Sequence, residues 1–324
     1  MRNILCVTLI ALLGGCTSTS VTEKYQDKRN DIINVKDKVI EFETGNVLIG
    51  SVSRLYMSNK CLLIADHKSV DKQIHIFNKN DFSYLTSIGN FGEGPEEITV
   101  MGCLAIDEAH HQLYVSDHAK QKIFSYDMDS VMVDSLYKPQ VKTAMNETLF
   151  PSEYQYINDT LSIAVLIKPT STSTFNQFLG RWNMNTGEMI PMKYTHPDIQ
   201  KKRITFAASE KAGIYVECYT RHDLMTICSL DGELLYNIYG PDWDGGNGNK
   251  LQSFGTVMIG NDKIFVSYCG EDYARDSFPT KILVFDLEGN YLKTLETGYK
   301  ISDCCYDSFN NRIILSLNDV VQLD

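Results

Sequence analysis

Short apolar segments open at Leu62, Leu113, Leu161, Ile214, Ile264 and Ile313, at intervals of 51, 48, 53, 50 and 49 residues. Six such starts, separated by five near-equal intervals, describe one supersecondary unit repeated six times. A unit of this size cannot bury both of its faces alone, so it must stack on its copies to make a core. The unit is clearest over residues 87–127, where a glycine-rich loop precedes three short alternating strands, Leu104-Ala105-Ile106-Asp107, Leu113-Tyr114-Val115-Ser116-Asp117 and Ile123-Phe124-Ser125-Tyr126-Asp127. Alternation closed by polar turns is the pattern of antiparallel hairpins.

Third strands are expected at residues 74–77, 123–126, 178–182, 225–228, 282–285 and 320–323, and fourth strands at 84–88, 133–136, 189–192, 234–239 and 291–295. Asp231-Gly232 and Glu288-Gly289-Asn290 supply tight turns between them. The sixth unit lacks a fourth strand, and residues 39–42 precede the first unit without a partner. The expectation is an all-β, six-bladed β-propeller of four-stranded antiparallel blades, its ring closed by that N-terminal strand so that no edge is left unpaired.

The N-terminus adds a location. Met1-Arg2-Asn3 and the apolar run at residues 4–13 are too short to span a bilayer and fit the core of an export signal. Leu13-Gly14-Gly15-Cys16 follows and resembles the bacterial lipobox, which implies acylation of Cys16. The organisation expected is a signal peptide over residues 1–15, a lipidated tether over 16–33 and the propeller over 34–324. Seven cysteines remain, an odd number lying mostly in alternating apolar segments, so buried free thiols are expected and no Cys-x-x-Cys metal motif occurs. The formal net charge is −11. That balance, with no basic stripe, excludes nucleic acid as a natural partner.

Residues 87–127 resemble an NHL repeat, through Gly89, Gly92, Gly94 and Pro95 and the three strands quoted above. Over residues 34–324 the chain resembles the TolB-like six-bladed propeller lipoproteins of gut Bacteroidetes. The resemblance implies the fold and an envelope location, and no particular ligand, because function lies in sites grafted onto such folds.

In a four-stranded up-and-down blade, the loops joining strands two and three share one face with the loops joining successive blades. This face gathers the ends of the second strands, and loops carry function more often than strands. Candidate ligand-binding residues there are His67, His118, Arg221, His222, Glu271, Asp272 and Trp243, the last expected to be exposed and able to stack on a sugar ring. Asp66 and Asp117 are read as turn-fixing residues. The loop at 89–95 is read as a strained blade connection, since no helix and no Lys-Ser/Thr follows it.

The loop at 242–249 offers Asp242 and Asp244 to calcium but lacks the glycine and the final bidentate acid of an EF-hand. Among inner-strand residues, Asn158 and Asp303 are the remaining metal candidates. Otherwise no cofactor is expected and no nucleophile elbow is present. These residues together describe an envelope binding or scaffolding module for a protein or glycan, attached to the membrane only through its lipid. The alternative is a metal-dependent hydrolase or lactonase of the gluconolactonase type, using the channel.

Overall fold

The structure is a computed structural model and describes residues 22–134, 136–247, 251–275 and 277–318. Cys16, the export signal and the strand expected at 320–323 lie outside the described residues.

Two short strands come first, β1 (Glu23–Tyr25) and β2 (Ile32–Asn34). Blade 1 is β3 (Ser53–Met57), β4 (Cys61–Asp66), β5 (Lys72–Asn78) and β6 (Tyr84–Asn90). Blade 2 is β7 (Met101–Asp107), β8 (Gln112–Asp117), β9 (Lys122–Asp127) and, after the one-and-a-half-turn helix α1 (Met128–Val133), β10 (Gln140–Ala144). Blade 3 is β11 (Phe150–Asn158), β12 (Leu161–Pro169), β13 (Phe175–Trp182) and β14 (Met189–Pro191). Blade 4 is β15 (Ile204–Ser209), β16 (Ile214–Tyr219), β17 (Leu224–Ser229) and β18 (Leu234–Tyr239). Blade 5 is β19 (Leu251–Gly260), β20 (Lys263–Asp272), β21 (Lys281–Asp286) and β22 (Tyr291–Glu296). Blade 6 contributes β23 (Ile301–Asp307) and β24 (Arg312–Leu317) to the described residues.

Each blade packs face to face on its neighbours, so its middle strands are covered on both sides and lose alternation: β4 and β16 are buried at every position. One apolar cluster fills each seam. Leu63 and Ile74 meet Leu113 and Phe124 between blades 1 and 2. Corresponding clusters lie between blades 2 and 3, 3 and 4, 4 and 5, and 5 and 6. The sixth joins Cys305 and Ile314 of blade 6 to Leu55, Leu62 and Phe77 of blade 1 and closes the ring. Cys61, Cys103, Cys218, Cys228, Cys269, Cys304 and Cys305 are free and buried, and all but Cys269 belong to these clusters, one to each seam.

The structure departs from the sequence expectation at three places. Residues 39–42 are not a strand, and Ile40 is 88% exposed. The closing seam is held by side chains instead. Lys79 of blade 1 forms a buried ion pair with Asp307 of blade 6 (3.2 Å), which Arg312 also contacts at 3.2 Å. Asp303 of β23 accepts the Leu55 amide (2.7 Å) from blade 1 and the Thr256 hydroxyl (2.6 Å) from blade 5. Phe42 completes the outside of the seam by stacking on Phe82, with ring centroids 4.1 Å apart.

Second, residues 22–33, expected within the tether, join the propeller. β1 and β2 add in parallel to the outer edges of β18 and β22, making blades 4 and 5 five-stranded. Between them Arg29 enters the fold and pairs with Asp223 at 2.8 Å, with side-chain exposures of 7% and 0%. Its guanidinium also faces the rings of Phe254, Tyr268 and Phe285. Any Cβ at Gly240 would collide with both charged groups, which accounts for glycine there.

Third, residues 133–136 do not form the fourth strand of blade 2. The Asp127 carboxylate accepts the Ser130 amide (2.7 Å) and caps a helix start, so the chain turns through α1, burying Val131, before β10 begins.

The Arg29–Asp223 pair gives a direct test of the strap. Arg29→Ala leaves a fully buried carboxylate without its counter-charge, for an expected loss of about 3–5 kcal/mol. The double variant Arg29→Met/Asp223→Leu should recover most of it. Urea unfolding of the three proteins checks this; an unchanged midpoint for Arg29→Ala would mean that the strap contributes nothing to the fold.

Candidate functional site

The first strands of all six blades surround a central cavity of about 1350 Å³. Strand order makes its two ends different. The face carrying the blade-joining loops, here the top face, receives the starts of the first strands and the ends of the second strands.

Aspartates at the second-strand ends fix this face. Asp66 accepts the amides of Gly50 (2.7 Å) and Lys68 (2.9 Å). Asp117 accepts those of Thr99 (2.8 Å), Val100 (3.2 Å), Ala119 (3.0 Å) and Lys120 (3.2 Å). Both act as turn-fixing groups, tying a blade-joining loop to its own blade. The glycine-rich connection is likewise structural. It turns its carbonyl oxygens toward the Lys120 ammonium, which donates to Gly94 (2.5 Å) and Glu97 (2.6 Å). A loop presenting carbonyls to a cation does not cradle a phosphate.

The residue after each of these aspartates is placed by the same rule. The amide of His67 bonds the carbonyl of Val52 (3.0 Å), and that of His118 bonds Val100 (2.9 Å). Both imidazoles line the cavity mouth, and the Nε2 of each is buried with no hydrogen-bond partner. His67 Nδ1 lies 3.2 Å from the Met101 carbonyl. Burial depresses both imidazoles below the ordinary histidine value, and the nearby Arg54 charge adds to the effect. Inside the lumen Arg54 of blade 1 pairs with Glu153 of blade 3 at 2.8 Å, a half-exposed bridge. Sequence reasoning missed both. The available signal was a charged residue at an inward position of an inner strand.

The remaining candidates do not join this group. Trp243 is half-buried, packed against Tyr239, His196 and His222 with ring centroids 5.0, 5.7 and 5.9 Å away, so it is not the exposed stacking platform expected. His222 is buried, its Nδ1 3.7 Å from Asp244. Asp242 receives the Tyr268 hydroxyl at 3.3 Å. Arg221 is half-buried on the loop after β16. Glu271 pairs with Arg275 (3.2 Å) and Asp272 accepts the Ala274 amide (2.9 Å), both on the exposed end of β20. None of these residues lines the cavity.

Asn158 and Asp303 are also separated. Asp303 stands near the top of β23 with both oxygens engaged, and burial raises its carboxyl above the ordinary value. Asn158 ends β11 at the bottom face, where its side-chain oxygen accepts from the Thr160 amide and hydroxyl, both at 3.1 Å.

Among the described residues, the one group of three ligand-type side chains within 4.8 Å of each other is Asp107, His110 and Asp159, also on the bottom face. Much of it is turn chemistry. Asp107 accepts from His110 N (3.2 Å) and lies 2.8 Å from its Nδ1. Blade 6 repeats the arrangement with Asp307 and Asn310, at 3.3 and 2.6 Å.

The histidines give a pH prediction. His67, His75, His118, His196 and His222 are all depressed, chiefly by burial. A neutral ring of this kind contributes stability that is fully present above the unfolded value of 6.5 and is lost as pH falls from there through the lower folded value. Imidazole chemical shifts should place His67 and His118 below 6.5, with the urea midpoint dropping on acidification through that window. Titration of either ring at or above 6.5 would contradict the buried mouth geometry.

Comparison with known proteins agrees with this architecture. Residues 17–177, just under half of the chain, match the family DUF5128, described as a 6-bladed beta-propeller. No curated protein matches the sequence. A solved structure of a Bacteroides fragilis protein inferred to be exported is similar over 86% of this chain and 80% of its own, at 14% identity and a TM-score of 0.52. A member of the DUF4221 family from Bacteroides vulgatus is similar over 84% of this chain and 89% of its own, at 10% identity and a TM-score of 0.55. At these identities the likeness concerns the fold. The chain is an all-β, six-bladed β-propeller, and its N-terminal half is similar to DUF5128.

Proposed function

We propose that this propeller is an exported, lipid-anchored module of a bacterial cell envelope that binds an envelope ligand, protein or glycan, at the top mouth of its channel. The observation that carries the reading is the mouth itself. His67 and His118 line a roomy cavity beside the half-exposed Arg54–Glu153 bridge, with the Nε2 of each packed away from water and unpartnered. Polar groups converging on a concave space in this way are the default mark of a binding site. The reading needs no resident metal, and it draws on mouth residues rather than on Asp242, Asp244, Asn158 or Asp303.

The direction of β1 supports the anchoring. It runs parallel to β18, Glu23 opposite Asn237, so the chain before it leaves from the bottom face. An acylated Cys16 would then hold that face within roughly 20 Å of the membrane, the reach of six extended residues. The mouth would face away, open to partners.

Photo-crosslinking tests this reading. Val100 lines the mouth and is 50% exposed. A benzophenone amino acid at Val100 should give an adduct in intact cells that is lost in Arg54→Ala/Glu153→Ala. The same probe at Phe309, 82% exposed on the bottom face, should not give that adduct. Equal adducts from both positions would sink the proposal.

A further inference from the structure

The turn that follows the first strand is built on one plan in blades 2 and 6. Asp107, His110, His111 and Gln112 of blade 2 stand where blade 6 has Asp307, Asn310, Asn311 and Arg312. Each aspartate accepts from the residue three further on, and His111 and Asn311 both have positive φ. Asp107 faces Gln112 across its hairpin as Asp307 faces Arg312. Both aspartates are buried, with 2% and 0% of their surface exposed. The turn therefore requires no histidine, since Asn310 completes it equally well.

What differs is the charge brought to the buried carboxylate. Asp307 has two cations at 3.2 Å, Arg312 of its own hairpin and Lys79 of the next blade. Asp107 has neither. Gln112 replaces the arginine and turns to Asp127 (3.0 Å), and the next blade contributes a second anion, Asp159, in place of a lysine. Among the described residues no lysine or arginine pairs with Asp107 or Asp159; Lys142 lies instead over the Tyr114 ring, 5.5 Å from its centroid. Even a protonated His110, 2.8 Å from Asp107, leaves the two carboxylates one positive charge short.

The donors select the ion that would supply it. One ligand atom from each of Asp107, His110 and Asp159 lies within 4.8 Å of the others. Tyrosine hydroxyls hold both carboxylates from behind: Tyr114 donates to Asp107 (3.2 Å) and Tyr156 to Asp159 (2.6 Å). Outer-shell partners of this kind orient metal ligands. An imidazole with two carboxylates suits a first-row transition ion, whereas calcium takes about six to eight oxygens. Donors to one zinc lie about 2 Å from it. The observed spread closes by small rotations of His110 and Asp159, both exposed.

We infer that Asp107, His110 and Asp159 bind a divalent transition-metal ion of the zinc class at the bottom of the seam between blades 2 and 3. The ion would serve this seam as Lys79 and Arg312 serve the closing one. The site lies on the face opposite the channel mouth and is independent of it.

Calorimetric titration of the purified, folded chain with zinc provides the test. One zinc per chain should bind, in preference to calcium and magnesium, and should raise the urea midpoint. His110→Asn gives the turn its blade 6 residue and Asp159→Asn changes an exposed side chain, so both variants should fold. Each should weaken zinc binding at least about tenfold, the cost of losing even an outer-shell partner of a bound metal. His111→Asn should leave the affinity unchanged, since that ring lies 2.7 Å from Asp129. Zinc binding that is absent, matched by calcium, or undiminished in either His110→Asn or Asp159→Asn would overturn the inference. A zinc-induced rise in the urea midpoint that persists in His110→Asn would overturn it as well.

Discussion

A ring of six sheets is only as sound as its last seam, and here that seam is an apolar cluster keyed by ionised side chains. Five interfaces join blades that follow one another in sequence. The sixth must bring blade 6 back to blade 1 across most of the chain's length. Apolar packing of Cys305 and Ile314 on Leu62 and Phe77 supplies the surface, and the Lys79–Asp307–Arg312 group fixes its register. Asp303 then spans three blades from a single side chain, binding Leu55 on one side and Thr256 on the other. The lumen exists because this closure holds the inner strands at a common radius. Buried charges of this kind give little net stability against an apolar alternative, but they tolerate only one arrangement of partners.

The same logic recurs on the top face with different partners. An aspartate at the end of a second strand collects the amides of the preceding blade-joining loop in blades 1 and 2. In blade 4 Asp223, in the turn after the second strand, holds the following blade-joining loop instead, taking the Asp242 amide (3.2 Å) and then the Arg29 guanidinium as well. The N-terminal strap is thus attached at the place where the repeat already had an anion to offer. Burial pushes the Asp223 carboxyl upward even with Arg29 beside it, a measure of how completely this charge is withdrawn from water.

Much of the fold was legible because propeller blades write a period into the sequence. The six second strands, the inner strands and the turn-fixing role of Asp66 and Asp117 follow from alternation and turn chemistry, which are local. His67 and His118 were legible for the same reason, since each follows a turn aspartate. What escaped depends on contacts between distant segments. Residues 39–42 alternate as a strand should, but nothing in that pattern reveals that the strap has already docked on blades 4 and 5 through Glu23 and Arg29. Trp243 looked exposed because its neighbours are polar and glycine-rich, whereas its ring is covered by His196, from the connection that follows blade 3, and by Tyr239 and His222 of blade 4. Arg54 and Glu153 lie two blades apart, so their pairing could not be read from either strand. The fourth strand of blade 2 was misplaced by a single capping contact, Asp127 to Ser130.

The seven buried thiols carry a consequence for how the chain reaches its native state. None is cross-linked, and burial pushes the Cys103 and Cys228 thiols up to about 12, far from the thiolate that exchange chemistry requires. Once the seams are formed, oxidants and disulfide catalysts have nothing to act on. Before that, each seam leaves one thiol accessible, and a chance pair between two seams would lock their blades out of stacking. In an oxidising compartment, maturation would be a race between blade stacking and thiol capture, in which the local hairpins of each blade let stacking start before distant cysteines meet.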